Sequence, residues 1–163
     1  AAHARNQGAE LIAVSGSRAR FPQATAAGAT HVYDYHRTDL ECRLDADCGK
    51  FDVLIDGVGK AGEVDRVLPL LKSGAVVGIY GLDDFENLKI NPLRASGSFT
   101  VYADGYDEEE THEEVMSRIQ DGSLDARIWL DLDHPFALDD IAAAIEAIRS
   151  RKQIKALVRL SQD

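Results

Sequence analysis

The stretch FDVLIDGVGKAGEVDRVLPLLKSGAVVGIYGL, residues 51–82, decides the fold. Its first part, Phe51–Asp56, is a nearly continuous apolar run and predicts a buried strand. Residues 63–71 place Val and Leu at helical spacing, so we predict a helix there that Gly74 caps. Residues 75–80 form a second apolar run, which predicts another buried strand. A strand, a helix and a strand in this order indicate neighbouring strands of a parallel sheet.

The rest of the chain continues the alternation of helices and strands. Because the strands are apolar throughout rather than at every second residue, we expect helices to cover both faces of the sheet. This pattern predicts a doubly wound α/β domain. The further predicted elements are helices at residues 1–7, 21–27, 111–120 and 135–150, strands at 10–14, 31–33, 99–102 and 154–160, and an extended piece at 126–132.

The bulk composition limits the classes of partner. The 163 residues carry a formal net charge of −10, which argues against binding to nucleic acid or to an anionic membrane. No run approaches 18 apolar residues, and the first residues lack the features of a signal peptide, so we expect a cytoplasmic protein. Cys42 and Cys48 match no metal-binding spacing, and free thiols are favoured over a redox pair.

Three strands are followed by glycine or other small residues. Ligands of open α/β sheets bind outside the carboxyl ends of the strands, and glycine lets a ligand approach the backbone closely. At one strand end a glycine is an ordinary turn residue, but three such ends in one sheet favour a ligand site. The three runs are Ser15-Gly16-Ser17, Gly57-Val58-Gly59 and Gly78-Ile79-Tyr80-Gly81.

The first of these turns predicts which cofactor is bound. An acidic residue at this place in a dinucleotide fold accepts hydrogen bonds from the ribose of NAD and would repel the additional phosphate of NADP. Here the hydroxyl of Ser17 and the guanidinium of Arg18 can both donate to a phosphate. The turn therefore favours NADP. The alternative is a solvated turn with a surface arginine.

Three segments together resemble the medium-chain dehydrogenase/reductase superfamily, which includes zinc alcohol dehydrogenases and quinone reductases. They are GAELIAVSGSRARFPQATAAGATHVYDY at residues 8–35, the stretch at residues 51–82, and HPFALDDIAAAIEAIRSRKQIKALVRL at residues 134–160. No single motif is diagnostic, but the ordered set covers nearly the whole chain. The resemblance implies a Rossmann-like cofactor domain.

The resemblance also implies roles for individual residues. Gly16, Ser17 and Arg18 are similar to the Gly-Ser-Arg turn of NADP-dependent secondary alcohol dehydrogenases, in which a tyrosine at the position of Tyr35 flanks the 2′-phosphate. Residues 56–59 would line the adenosine. Residues 79–81 and 97–99 would lie beside the nicotinamide. The cofactor-binding residues implied are Ser15, Gly16, Ser17, Arg18, Tyr35, Asp56, Gly57, Val58, Gly59, Ile79, Tyr80, Gly81, Gly97, Ser98 and Phe99. No catalytic or metal-binding residue is implied.

Parts of the superfamily pattern are not found in this chain. Its first strand and G-x-G-x-x-G turn would lie before Ala1, as would the catalytic domain that holds zinc where zinc is present. We therefore expect residues 1–125 to form a Rossmann domain that lacks its first strand, and residues 126–163 to return towards the catalytic domain. The absent strand is central in such sheets, so we expect a gap in the sheet. Another polypeptide could supply the strand, the sequence could be incomplete, or the fold could depart from the family.

These expectations imply the cofactor-binding portion of an NADP-dependent oxidoreductase. The intact enzyme would transfer a hydride between nicotinamide and a small alcohol, polyol or aldehyde, and this chain alone would be inactive. One alternative is a zinc-free quinone or enoyl reductase of the same superfamily. Another is a stand-alone nucleotide-binding module without turnover. The resemblance further implies a homodimer that pairs through the edge strand at residues 99–102.

Overall fold

The computed structural model describes residues 1–81, 83–87, 89–102 and 107–160. The chain divides into two compact units. The first unit contains residues 1–14, 18–32 and the chain from residue 108 onward, and the second contains residues 15–17 and 33–107. This division does not follow the boundary at residue 125, so the two domains expected from the sequence remain a prediction.

Helices and strands alternate along the chain. Short 3₁₀ helices occur between them, among them Arg18–Arg20 and Leu68–Leu70. The helices are α1 (Ala2–Asn6), α2 (Phe21–Ala26), α3 (Leu40–Cys48), α4 (Glu63–Val67), α5 (Glu108–Gln120) and α6 (Ile141–Arg149). The strands are β1 (Ala13–Gly16), β2 (His31–Asp34), β3 (Phe51–Asp56), β4 (Leu71–Ile79), β5 (Phe99–Tyr102), β6 (Phe136–Ala137) and β7 (Val158–Arg159).

In the second unit, β3, β4 and β5 form a parallel sheet with β4 in the centre. Phe51 pairs with Leu71, but Val53 pairs with Val76, so β4 contains a bulge between these points. Gly74 lies in the bulge with a positive φ of 86°, a conformation that glycine adopts readily. The prediction that Gly74 caps a helix was therefore wrong, because the strand begins earlier and includes it.

One face of this sheet carries the core of the second unit. Val64 and Leu68 pack with Leu71, Ala75 and Val77, and all five are almost fully buried. The helical spacing placed Val64, Val67, Leu68 and Leu71 on one face, and all of these except Val67 belong to this core. The helix itself ends at Val67 rather than at Leu71, because proline at position 69 has no N–H to continue the α-helical hydrogen bonds. The chain continues as a 3₁₀ turn and then enters β4.

The opposite face of the sheet is largely open. Val53 and Ile55 are 56% and 63% exposed, and Tyr102 is 56% exposed. Val76 pairs with Val53 and is also exposed. The expectation that both faces of the sheet are covered is therefore wrong for these strands of the described chain.

The remaining strands form two separate two-stranded sheets, β1 with β2 and β6 with β7. The division between the two units passes through the first of these sheets. No hydrogen-bonded ladder joins the β1–β2 pair to β3 within the described residues, as the predicted gap in the sheet requires. The β1 strand begins at Ala13 rather than at residue 10. The N–H of Ile12 donates to the side-chain hydroxyl of Thr30 at 2.9 Å, and Ile12 O accepts from the N–H groups of Thr30 and His31.

The C-terminal part differs most from the prediction. Residues 136–137 leave the predicted helix, because the N–H of Phe136 donates to Leu157 O at 2.8 Å and β6 pairs in parallel with β7. The predicted strand at residues 154–160 is reduced to Val158–Arg159. The predicted extended piece contains the 3₁₀ helix Ala126–Ile128, which the carboxylate of Asp125 caps by accepting from the N–H of Arg127.

The order of helices and parallel strands is that of a Rossmann-like α/β fold without its first strand. In the part of the chain that the structure describes, no helix is both long and apolar enough to cross a bilayer.

Candidate cofactor-binding site

The predicted specificity turn lies where β1 ends. Ser15 is exposed, and a Cβ added at Gly16 would meet no atom within 4 Å, so the space beside this turn is open. The backbone N–H of Tyr35 donates to Gly16 O at 3.3 Å. This bond places Tyr35, directly after β2, beside the turn, where the sequence predicted it. Its half-exposed ring lies 4.0 Å from the ring of His36.

Arg18 follows the turn and begins the 3₁₀ helix Arg18–Arg20 of the first unit. Its residue is exposed to solvent. An exposed guanidinium can offer a planar set of donors to an anion such as a phosphate. Arg18 and the turn that precedes it are neighbours in the chain, and neither contains an acidic side chain.

The end of β3 is built around Asp56. Its Oδ1 accepts hydrogen bonds from the N–H groups of Val58 at 2.9 Å and Gly59 at 3.0 Å, and this fixes the loop that follows the strand. Its Oδ2 is buried and has no hydrogen-bond partner among the described residues. A buried carboxylate oxygen without a donor costs free energy.

The end of β4 contacts the same loop. The N–H groups of Tyr80 and Gly81 donate to the main-chain O of Asp56 at 3.1 and 3.3 Å. A Cβ on Gly81 would overlap the backbone of Val58 and Gly59, so only glycine permits this approach.

Tyr80 extends across the loop from the other strand end. Its hydroxyl lies where a Cβ of Gly57 would approach it to 2.7 Å. The side chain is 71% exposed, whereas Ile79 packs against the core. The structure thus brings two of the predicted sets, at the ends of β3 and β4, into direct contact.

The third predicted set lies elsewhere in the sheet. Phe99 begins β5 and pairs with Ala75, which lies four residues before Ile79, the last residue of β4. The hydroxyls of Ser98 and Ser73 are 3.3 Å apart, and a Cβ on Gly97 would lie 2.8 Å from that of Ser73. Because parallel strands end at the same edge, Gly97, Ser98 and Phe99 lie at the opposite edge from the β4 exit. This geometry does not fit the predicted contact of these three residues with the nicotinamide.

Two features of the site had no signal in the sequence. The N–H groups of Asp83 and Asp84 donate to the carbonyls of Val58 and Gly59, at 2.9 and 3.0 Å, and so hold the β3 loop from its other side. Any residue except proline offers a backbone N–H, so no side-chain pattern indicates this contact. The bonds of Arg20, described below, join residues more than 130 positions apart.

The described residues offer no ligand set for zinc. Among them, no group of three or more His, Cys, Asp or Glu side chains is placed to hold a metal ion. Cys42 and Cys48 are both free thiols.

A family model described as zinc-binding dehydrogenase matches residues 1–121, which is most of the chain. The chain belongs to this family. Comparison with curated protein sequences gave no significant match. The family match confirms the resemblance that was based on the ordered segments of sequence.

Solved structures of dehydrogenases share the fold. A 2R,3R-butanediol dehydrogenase from Bacillus subtilis superposes with a TM-score of 0.82 at 20% identity, over 98% of this chain and 46% of the other. A zinc-binding dehydrogenase from Sinorhizobium meliloti bound to NADP gives 0.72 at 22% identity, over 88% and 43%. An Escherichia coli protein described as a short-chain alcohol dehydrogenase, complexed with NADH, gives 0.75 at 14% identity, over 95% and 45%.

The chain covers only part of each solved structure, and this limits what the comparisons show about it. The chain spans less than half the length of each of these three structures. At such low identities the similarity shows the fold. One neighbour binds NADP and another NADH, so the choice of cofactor must be argued from the residues of this chain itself.

Proposed function

We propose that this chain is the cofactor-binding part of an NADP-dependent oxidoreductase. The intact enzyme transfers a hydride between the nicotinamide and a small alcohol, polyol or aldehyde, and the cofactor supplies this redox chemistry. The residues of this chain bind and orient the cofactor, and no general acid or base is assigned to them. The chain alone is catalytically inactive, and a stand-alone nucleotide-binding module without turnover is an alternative.

The observation that carries the proposal is the turn at the end of β1. Ser15, Gly16 and Ser17 form an open turn with Tyr35 hydrogen-bonded beside it. Arg18 is the next residue, and it is exposed. An open turn that carries hydroxyl groups and a guanidinium, without an acid, suits a 2′-phosphate better than two ribose hydroxyls.

The ends of β3 and β4 support the proposal. Gly57 and Gly81 have no side chain, which lets the two strand ends approach each other closely. Because the two strand ends contact each other, Val58 and Tyr80 would contact neighbouring parts of one bound molecule. These features fit a dinucleotide.

The proposed test compares binding of NADP and NAD to the intact protein. Arg18→Ala should weaken NADP by about 1–3 kcal/mol, the usual range for a lost hydrogen bond to a charged group. Its effect on NAD should be small, because NAD lacks the 2′-phosphate. Isothermal titration of both cofactors measures the two affinities.

Arg149→Ala is the matched control, since it removes an equally exposed arginine at the end of α6. It should leave both affinities unchanged. An equal loss of NADP and NAD affinity in the Arg18 variant would show that the turn does not recognise the 2′-phosphate.

Two further proposals concern the class of substrate and the cellular compartment. The butanediol dehydrogenase among the similar structures supports an alcohol or polyol substrate, and a zinc-free quinone or enoyl reductase is the alternative within the superfamily. The free thiols of Cys42 and Cys48 are consistent with a reducing compartment such as the cytoplasm.

A further inference from the structure

Arg20 joins two distant segments of the first unit. Its Nη2 donates to Arg151 O and to Gln153 O, both at 3.2 Å. These carbonyls lie 131 and 133 residues further along the chain. The two bonds use both hydrogens of this nitrogen, so Nη2 has none left for a ligand.

The acceptor segment is a tight turn after α6. Arg151 has a φ of +58° and is the only non-glycine with a positive φ in the described residues. Such a conformation is unfavourable for a residue with a side chain, so surrounding bonds must stabilise it. One of these bonds runs from the N–H of Gln153 to Ala147 O at 3.1 Å. Arg20 supplies two more, from a separate part of the chain.

The donor end lies in the short 3₁₀ helix that follows the specificity turn. Arg18 is the first and Arg20 the last residue of this helix. A three-residue 3₁₀ helix has few hydrogen bonds of its own, so it depends on anchors at its ends. The guanidinium of Arg20 anchors the C-terminal end and thereby restricts the backbone that carries Arg18.

We propose that Arg20 is a positioning residue for cofactor selection, which acts through Arg18 on recognition of the 2′-phosphate. This inference rests on the proposed function of the turn. Arg20 differs from Arg18 in its surroundings, since it is half-buried with its Nη2 bonded to carbonyls while Arg18 is exposed. Arg18 binds the phosphate, and Arg20 holds the 3₁₀ helix Arg18–Arg20 in the conformation that presents Arg18.

A double-mutant cycle tests this assignment in the intact protein. Binding of NADP and NAD is measured for the wild type, Arg18→Ala, Arg20→Met and the double variant. Arg18→Ala should lower the preference for NADP over NAD ten- to a hundred-fold. Arg20→Met should lower it about five-fold. The double variant should match Arg18→Ala, because Arg20 has no effect on the preference once Arg18 is removed.

Three results would overturn the inference. Multiplied effects in the double variant would mean that Arg20 contacts the phosphate itself. An unchanged preference in Arg20→Met, with a lower melting temperature only, would mean a purely structural role. If Arg18→Ala leaves the preference unchanged, the proposed function of the turn fails first, and the inference fails with it.

Two further variants support the cycle. Arg20→Lys keeps a donor that can reach a carbonyl and should lose less of the preference than Arg20→Met, which gives a measurement if the methionine variant does not fold. Arg149→Ala removes a charge near the same turn without removing a described hydrogen bond, and it should leave the preference unchanged.

Discussion

Gly81 is the residue at which the candidate site tolerates the least change. Its Cα faces the backbone of Val58 and Gly59, which cannot rotate away as a side chain can. We predict that Gly81→Ala lowers the free energy of unfolding by about 1–3 kcal/mol through overpacking. Urea denaturation of the intact protein measures this loss.

Gly78, three residues earlier in the same strand, is the matched control. A Cβ there would meet no atom within 4 Å. Gly78→Ala should be neutral, or stabilising by up to about 1 kcal/mol, because it reduces the freedom of the unfolded chain. Equal losses at both positions would show that the strand tolerates no substitution, and that the contact of Gly81 with the β3 loop is not the cause.

At the scale of single residues, the sequence indicates glycine-rich strand ends but not their different roles. Gly57, Gly78 and Gly81 look alike in the sequence, yet only Gly81 lies against backbone. The difference depends on how two loops approach each other, which is a property of the tertiary structure. The position of Tyr35 was easier to predict, because it directly follows β2, and β1 and β2 lie side by side. The roles of Arg18 and Tyr35 stay predictions.

Among the elements, α3 and α4 are joined by one ion pair. The Nε of Arg66 donates to Glu41 Oε1 at 2.5 Å, and the two side chains are about a third exposed. This hydrogen bond holds the pKa of Glu41 below its ordinary value of 4.5. The pair therefore stabilises the folded state fully only above that value, and the stabilisation is lost as the pH falls through the lowered pKa of the folded state.

We predict that Glu41→Gln lowers the free energy of unfolding by about 0.5–1 kcal/mol at pH 7. The difference from the wild type should shrink below pH 4.5, as the wild-type carboxyl also becomes neutral. Urea titrations at several pH values between 3 and 7 measure it. Glu114→Gln removes a pair with Arg118 within one helix, in which the carboxylate side chain is 50% exposed, and it should have a smaller effect at pH 7. A difference at Glu41 that does not depend on pH would contradict the electrostatic explanation.

Helices and strands were predicted correctly where one local feature of the sequence, such as an apolar run, determines them. The apolar run at Phe51–Asp56 gave the bounds of β3, and the apolar spacing from residue 63 identified the side chains that form the core. The ends of α4 and β4 were not predicted correctly, because Pro69 and the bulge at Gly74 interrupt a pattern that looks continuous in the sequence. In the C-terminal part, pairing of β6 with β7 takes residues 136–137 out of an apparently helical run.

For the molecule as a whole, the open edge of β5 is the place to test the predicted homodimer. Thr100 lies in this edge strand and is exposed. If two copies pair through β5 about a two-fold axis, equivalent side chains lie close together, and Thr100→Asp would place like charges near each other. We predict that the intact protein sediments as a dimer and that this variant sediments as a monomer.

Thr100→Ser is the control for the edge strand, and it should remain dimeric. A dimer that persists in the aspartate variant would show that the subunits pair elsewhere. The sequence predicted a gap between the two halves of one sheet, whereas the described strands form three separate sheets.

The open face of the β3–β4–β5 sheet affects how this polypeptide can be handled. Exposed valine and isoleucine side chains on one face favour association with other polypeptides. At neutral pH the formal charge of −10 keeps copies apart. Near the isoelectric pH of about 4.9 that repulsion disappears, and the face is left to drive coagulation. Purification buffers should therefore stay well above this pH.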